Sequence, residues 1–143
     1  MVNNLPLRRL VVGQYVTEIS KTGRVKVKNG PIYELATVKE MLKVRGLKPV
    51  NLDAEADMMT SYNPQMTEAE LGDIIRTLQS AHYDDSEICR TTHRMEIHAD
   101  GYAIYWRRFN RTESANGEKT YVKFGFRENN PKTLVLSIHP ASH

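Results

Sequence analysis

The sequence predicts an α+β fold: a small antiparallel sheet with two helices on one face, preceded by an extra N-terminal β-hairpin. Three observations predict it. From about residue 92 onward, apolar and polar side chains alternate with the period of strands. Two stripes with helical spacing lie in the middle of the chain, and turn-forming dipeptides separate the segments. At 143 residues the chain has the length of one domain with a real core. We divide residues 1–143 into a basic hairpin extension over 1–30 and a core over 31–140.

Arg9 to Ile19 is β-rich, Ser20-Lys21-Thr22-Gly23 is a turn signal, and Arg24-Val25-Lys26-Val27-Lys28 alternates cleanly. The pattern reads as a hairpin with a cationic outer face. Asn29-Gly30-Pro31 ends it. A helix is expected over Ile32 to Arg45, because Leu35, Val38, Met41 and Leu42 fall on one stripe. Lys43 and Arg45 suit the dipole of its last turn, and Gly46 supplies the stop. Residues 47–66 fit either a helix or a loop. The second helix starts more sharply. Thr67-Glu68-Ala69-Glu70 has the form of a capping box, and Leu71, Ile74, Ile75 and Leu78 form the buried stripe.

Asp84-Asp85-Ser86-Glu87 reads as an acidic link. Strands are then expected near 92–98, 102–110, 119–127 and 133–139. Asp100-Gly101, Asn116-Gly117 and Asn129-Asn130-Pro131 supply the turn chemistry between them. A strand points successive side chains to opposite faces. Val122, Phe124 and Phe126 therefore go inward, and Tyr121, Lys123 and Arg127 outward. Leu134, Leu136 and Ile138 go inward, and Ser137 and His139 outward. Arg94, Glu96 and His98 alternate with Met95 and Ile97. Tyr105 and Arg107 share one face, leaving Trp106 and Arg108 on the other.

If these strands share a sheet, its polar face gathers Arg94, His98, Arg107, Tyr121, Lys123, Arg127, Ser137 and His139. Those side chains suit phosphate binding and proton transfer on RNA. RNA carries its own nucleophile, the 2′-hydroxyl, so cleavage needs a base, charge stabilisation and a proton for the leaving oxygen. Histidine ordinarily titrates near neutrality, and His139 is the expected base or acid. Tyr121 would position the phosphate or donate a proton. Lys123, Arg107 and Arg127 would neutralise phosphates, the arginines bidentately. A half-buried strand aromatic and a solvated cationic face would leave the same pattern.

The net charge is +3, distributed as +5 over residues 1–30, −6 over 31–87 and +4 over 88–143. Two basic segments flank an acidic middle, the footprint of a polyanionic partner. No run of 18 apolar residues occurs, and the N-terminus lacks the apolar core of a secretory signal. A cytoplasmic protein without a membrane partner is expected. The single Cys89 excludes an internal disulfide and a cysteine-rich zinc site. The pairs His93/His98 and His139/His143 lack zinc-ligand spacing. Neither a metal nor a cofactor is expected.

Several short runs resemble the MqsR-type toxins, the motility quorum-sensing regulator family. They are Pro31-Ile32-Tyr33-Glu34-Leu35-Ala36-Thr37-Val38-Lys39, then Leu71-Gly72-Asp73-Ile74-Ile75-Arg76-Thr77-Leu78, then Gly117 to Phe124, and finally Leu134-Val135-Leu136-Ser137-Ile138-His139. The similarity covers residues 31–140 and rests on the order of these pieces. It implies a RelE-like fold, metal-independent endoribonuclease cleavage of messenger RNA, and a cognate antitoxin that silences the enzyme. It also matches Tyr121 to the family's active-site tyrosine and His139 to the place of its C-terminal lysine. Two departures stand out. Tyr83-Asp84-Asp85-Ser86 has an acid where the family has a lysine, and Tyr105-Trp106-Arg107-Arg108-Phe109 lacks the family's glutamine. The alternative expectation is therefore a non-catalytic nucleic-acid- or protein-binding module on the same scaffold.

Overall fold

The computed structural model of the chain describes residues 16–19, 25–49, 58, 60–90, 96–127 and 130–140. It is an α+β fold. Strand β1 (Val16–Ile19) pairs antiparallel with β2 (Val25–Lys28). Helix α1 (Leu35–Arg45) and the short strand β3 (Leu47–Pro49) follow. Helix α2 (Glu68–Thr77) leads through a 3-10 turn, Ser80–His82, into β4 (Tyr83–Arg90). Strands β5 (Glu96–Arg107), β6 (Thr112–Glu113), β7 (Glu118–Arg127) and β8 (Asn130–Pro140) complete the chain. One sheet takes the order β1-β2-β4-β5-β7-β8-β3, with β6 on the end of β5. Every pair is antiparallel except β3 with β8, which is parallel. No helix among the described residues is long and apolar enough to cross a membrane.

Both helices form for the expected reasons. In α1, Val38, Met41 and Leu42 are buried, and Gly46 caps the end with φ 78° while its N–H reaches the Leu42 carbonyl. The helix starts at Leu35 rather than Ile32, because Ile32 and Tyr33 are held in another way, described below. In α2, the Thr67 side chain accepts a hydrogen bond from the Glu70 N–H, and Leu71, Ile74, Ile75 and Leu78 are fully buried. The reciprocal half of the capping box is not made. The Glu70 carboxylate turns inward and accepts bonds from the Trp106 indole at 3.1 Å and from Arg108 Nε at 3.0 Å. The guanidinium NH2 of Arg108 adds a bond to the other Glu70 oxygen at 2.9 Å, which ties α2 to the end of β5.

Val38, Met41, Leu71, Ile74 and Leu78 share one core with Val27, Tyr102, Ile104, Trp106, Val122, Phe124, Val135 and Ile138. The helices therefore cover one face of the sheet. Three expectations along the strands need correction. Asp84 to Glu87 is not a link but the first half of β4. Asp100-Gly101 is not a turn but the middle of a single long strand, so the expected strands near 92–98 and 102–110 merge into β5. The simple alternation of β8 is also broken. The register shifts between Lys123 and Phe124, so that Phe124 lies opposite Val135 rather than Leu136, and Val135 is in the core. The side chains of Leu134, Leu136 and Arg127 lie outside the described residues, as do Arg94, residues 9–15 and the expected turn at 20–23.

Asp100 explains why a turn dipeptide runs through a strand. Its carboxylate is fully buried on the helix-covered face and accepts the Ile32 and Tyr33 N–H groups at 2.8 and 2.9 Å. The Ser86 hydroxyl also donates to it. The segment before α1 is thereby fastened to the sheet through its backbone, which satisfies N–H groups that would otherwise be buried without partners. Burial raises the Asp100 carboxyl above its ordinary pKa despite these donors.

Candidate active site

Tyr121 and His139 are cross-strand partners on β7 and β8. They lie on the sheet face opposite the helices, and their ring centroids are 5.4 Å apart with the planes tilted by 34°. Both side chains are half-buried. The His139 Nδ1 lies 3.0 Å from the Pro140 carbonyl oxygen. A carbonyl only accepts, so Nδ1 carries the proton, and in the neutral ring Nε2 keeps the lone pair.

Across β5 from Tyr121 the face is a trough. Ala99, Gly101 and Ala103 present small or no side chains between β4 and β7. Two long side chains bridge it. The Tyr121 phenol crosses over Gly101 and donates to Asp85 Oδ1 at 2.7 Å. A Cβ at position 101 would overlap both the Tyr121 hydroxyl and the Asp85 carboxylate, so glycine there is a requirement of the crossing. Lys123, one row along, crosses to Glu87 and makes an ion pair with both partners largely shielded from water. From the far side Lys26 of β2 reaches Glu87 at 3.2 Å and Asp85 at 3.4 Å. The Lys123 ammonium also sits 5.8 Å from the Tyr121 ring centroid.

The electrostatics follow from these contacts. Burial, the bond to Asp85 and the surrounding carboxylates push the Tyr121 hydroxyl well above the ordinary phenol range. The phenol stays protonated at any physiological pH. Burial alone would raise the Glu87 carboxyl, but the hydrogen bonds and charges of Lys123 and Lys26 outweigh it and hold it below the usual range. Burial alone would lower the Lys26 ammonium, but Glu87 and Asp85 raise it. Two lysines and two carboxylates thus neutralise one another beside the Tyr121–His139 pair.

Of the residues expected on the polar face, Tyr121, Lys123, Ser137 and His139 come together. Ser137 lies opposite Lys123. Arg107 shares the face and is exposed, but it stands four residues along β5 from the Ala103 row, about 13 Å away. His98 does not belong to this face. The register of β5 puts it with Asp100 and Tyr102 on the helix-covered side, because β5 runs straight through the position expected to turn. The opposite parity puts Ile97 on the trough face, where it and Ala99 are buried with Cys89 packed against them. That end of the face is closed, and the Tyr105 end is open. His82 is engaged elsewhere: it accepts from the Gln79 N–H through Nδ1 and lies 2.6 Å from Glu113 through Nε2.

Asp85, Glu87, Lys26 and Gly101 form half of this site, although their sequence pattern points to an acidic link, a hairpin face and a turn. Their signal was the two-residue spacing of Asp85, Glu87 and Cys89 against Ser86 and Ile88, obscured by an acidic composition that strands usually avoid. Among the described residues no three histidine, cysteine or carboxylate side chains converge as metal ligands. No protein-family model, curated protein or solved structure matches this chain.

Proposed function

We propose that the chain is a metal-independent endoribonuclease of the MqsR/RelE type, acting on messenger RNA in the cytoplasm and silenced by a cognate antitoxin. The β1–β2 pair is an extension of the RelE-like scaffold in this reading. The observation that carries it is the contact of His139 with Tyr121 on the sheet face opposite the helices, with a lone pair on His139 Nε2 to act as a base. Nε2 takes the proton of a ribose 2′-hydroxyl. The 2′-oxygen forms a bond to phosphorus, the bond from phosphorus to the 5′-oxygen breaks, and that oxygen takes a proton from water. The products are a 2′,3′-cyclic phosphate and a 5′-hydroxyl. Tyr121, its proton held by Asp85, orients the imidazole by ring contact. Lys123 and Ser137 line the next row, Arg107 lies further along the face, and Arg127 completes the proposed set of phosphate contacts.

The test is incubation of the purified protein with single-stranded RNA in EDTA. Fragments ending in 2′,3′-cyclic phosphate, lost on His139→Ala, are the expected result. Intact RNA, or equal cleavage by His139→Ala, would overturn the reading.

One observation favours a second reading, a binding module without catalysis. Lys26 and Lys123 are held by Asp85 and Glu87, so the cations nearest Tyr121 are already neutralised. Salt-sensitive RNA binding with the substrate left intact would select it.

A further inference from the structure

Beyond the Tyr121 row the open face changes character. Tyr105 of β5 lies directly opposite Lys119 of β7, and Arg107 follows Tyr105 on the same face. Lys119 and Arg107 are exposed, and Tyr105 shows 48 % of its surface. Neither cation makes an ion pair among the described residues, unlike Lys26 and Lys123. Among those residues only Val44, Tyr105 and Phe109 are large apolar side chains left exposed, and two of the three sit at this end of β5. Among the described residues the pairing of β7 with β8 runs as far as Thr120 and Pro140, one residue short of Lys119. The Tyr105–Lys119 row is two residues from the Ala103–Tyr121 row, about 7 Å along the strand. That separation is within the reach of one nucleotide.

We propose that Tyr105 is a stacking platform for a base of single-stranded RNA, and that Arg107 and Lys119 hold the phosphates flanking that base. The inference deepens the nuclease reading by placing the nucleotide next to the reacting link. The chemistry favours this occupant. An exposed phenol ring on a rigid strand offers a flat π-surface to any base, and two unneutralised cations beside it suit a polyanion whose charges repeat along a chain. The closed end at Ile97 and the neutralised lysine–carboxylate cluster offer neither feature. The strand therefore enters over Tyr105, and its next link meets His139. Recognition on a single ring and two charges is tolerant of base identity.

Binding is measured by fluorescence anisotropy with a dye-labelled single-stranded RNA on the full chain carrying His139→Ala, so that the probe stays intact. Tyr105→Ala is expected to weaken binding about tenfold, while Tyr105→Phe keeps it. Arg107→Ala and Lys119→Ala are each expected to flatten the salt dependence by about one phosphate contact. Circular dichroism establishes that each variant is folded. Equal affinity of folded Tyr105→Ala and its parent would overturn the platform, as would an absence of RNA binding by the parent. The two readings fail separately. If the parent binds through Tyr105 but the wild-type chain cuts no RNA, the platform stands without the nuclease. If the wild-type chain cuts RNA and Tyr105→Ala cuts it with an unchanged KM, the nuclease stands without the platform.

Discussion

Tyr121 donates its phenolic proton to Asp85 across the bare backbone of Gly101, so that β7 and β4 are joined over the strand that separates them. Lys123 and Glu87 repeat the arrangement one row along. The crossing fixes the Tyr121 ring beside His139 on the neighbouring strand β8.

Gly101→Ala places a methyl group where the Tyr121 hydroxyl and Asp85 meet. We expect a loss of about 1–3 kcal/mol in stability, read from urea unfolding, because an extra carbon in a filled space forces neighbours to shift. In a Tyr121→Phe background the same change should cost less, since the nearer of the two clashing oxygens is gone. An equal cost in both backgrounds would show that the crossing is not what demands glycine.

Glu87→Gln removes the charge that Lys123 and Lys26 share. The Lys123 side chain is only 13 % exposed, so it would be left partly buried without a counter-charge. The expected loss is about 2–4 kcal/mol, toward the low end because Lys26 is more open to water. A denaturation midpoint within error of the parent would contradict this.

Glu70→Ala leaves both the Trp106 indole and the Arg108 guanidinium without their buried acceptor. A loss of about 3–5 kcal/mol is expected. Trp106 is the single tryptophan, so its emission should shift to the red as water reaches the indole. Unchanged emission with unchanged stability would remove Glu70 as the tie between α2 and β5.

The acid limb of stability should reflect opposing groups. Burial opposes ionisation of Glu70, but Arg108 and Trp106 outweigh it; together with Glu87, it has a carboxyl held below the ordinary value. Each therefore contributes stability that is present above the unfolded-state pKa and lost as pH falls through the folded one. Asp100 is raised, so its contribution runs the other way and is lost as pH rises through its folded value. Stability against pH should fall less steeply toward acid in Glu87→Gln than in the parent. An identical slope would mean that Glu87 titrates alike in both states.

At the proposed site, His139→Ala should lower RNA cleavage by about 10²–10⁴-fold, the usual contribution of a positioned base. Tyr121→Phe should cost far less, because the ring contact with His139 survives and the phenol's proton is committed to Asp85. Comparable losses in both variants, measured as single-turnover rates, would instead make the phenol a direct participant.

Local patterns determined the two helices, their buried stripes, the Gly46 stop and the Thr67 cap, the inward set Val122, Phe124 and Phe126, and the shared outward face of Tyr121, Lys123 and His139. These depend on side-chain period and on backbone conformations available to single residues, which neighbouring positions suffice to set. The tertiary structure decided where Asp100-Gly101 and Asp84 to Glu87 belong. Both look like loop by composition. Asp100 becomes strand because its carboxylate meets the Ile32 and Tyr33 N–H groups, and Gly101 because the Tyr121 phenol must pass over it. The same long-range pairing moved His98 to the helix-covered side and set carboxylates against the lysines. Such partners lie tens of residues apart, and burial with a specific counter-group outweighs the local preference that each residue shows alone.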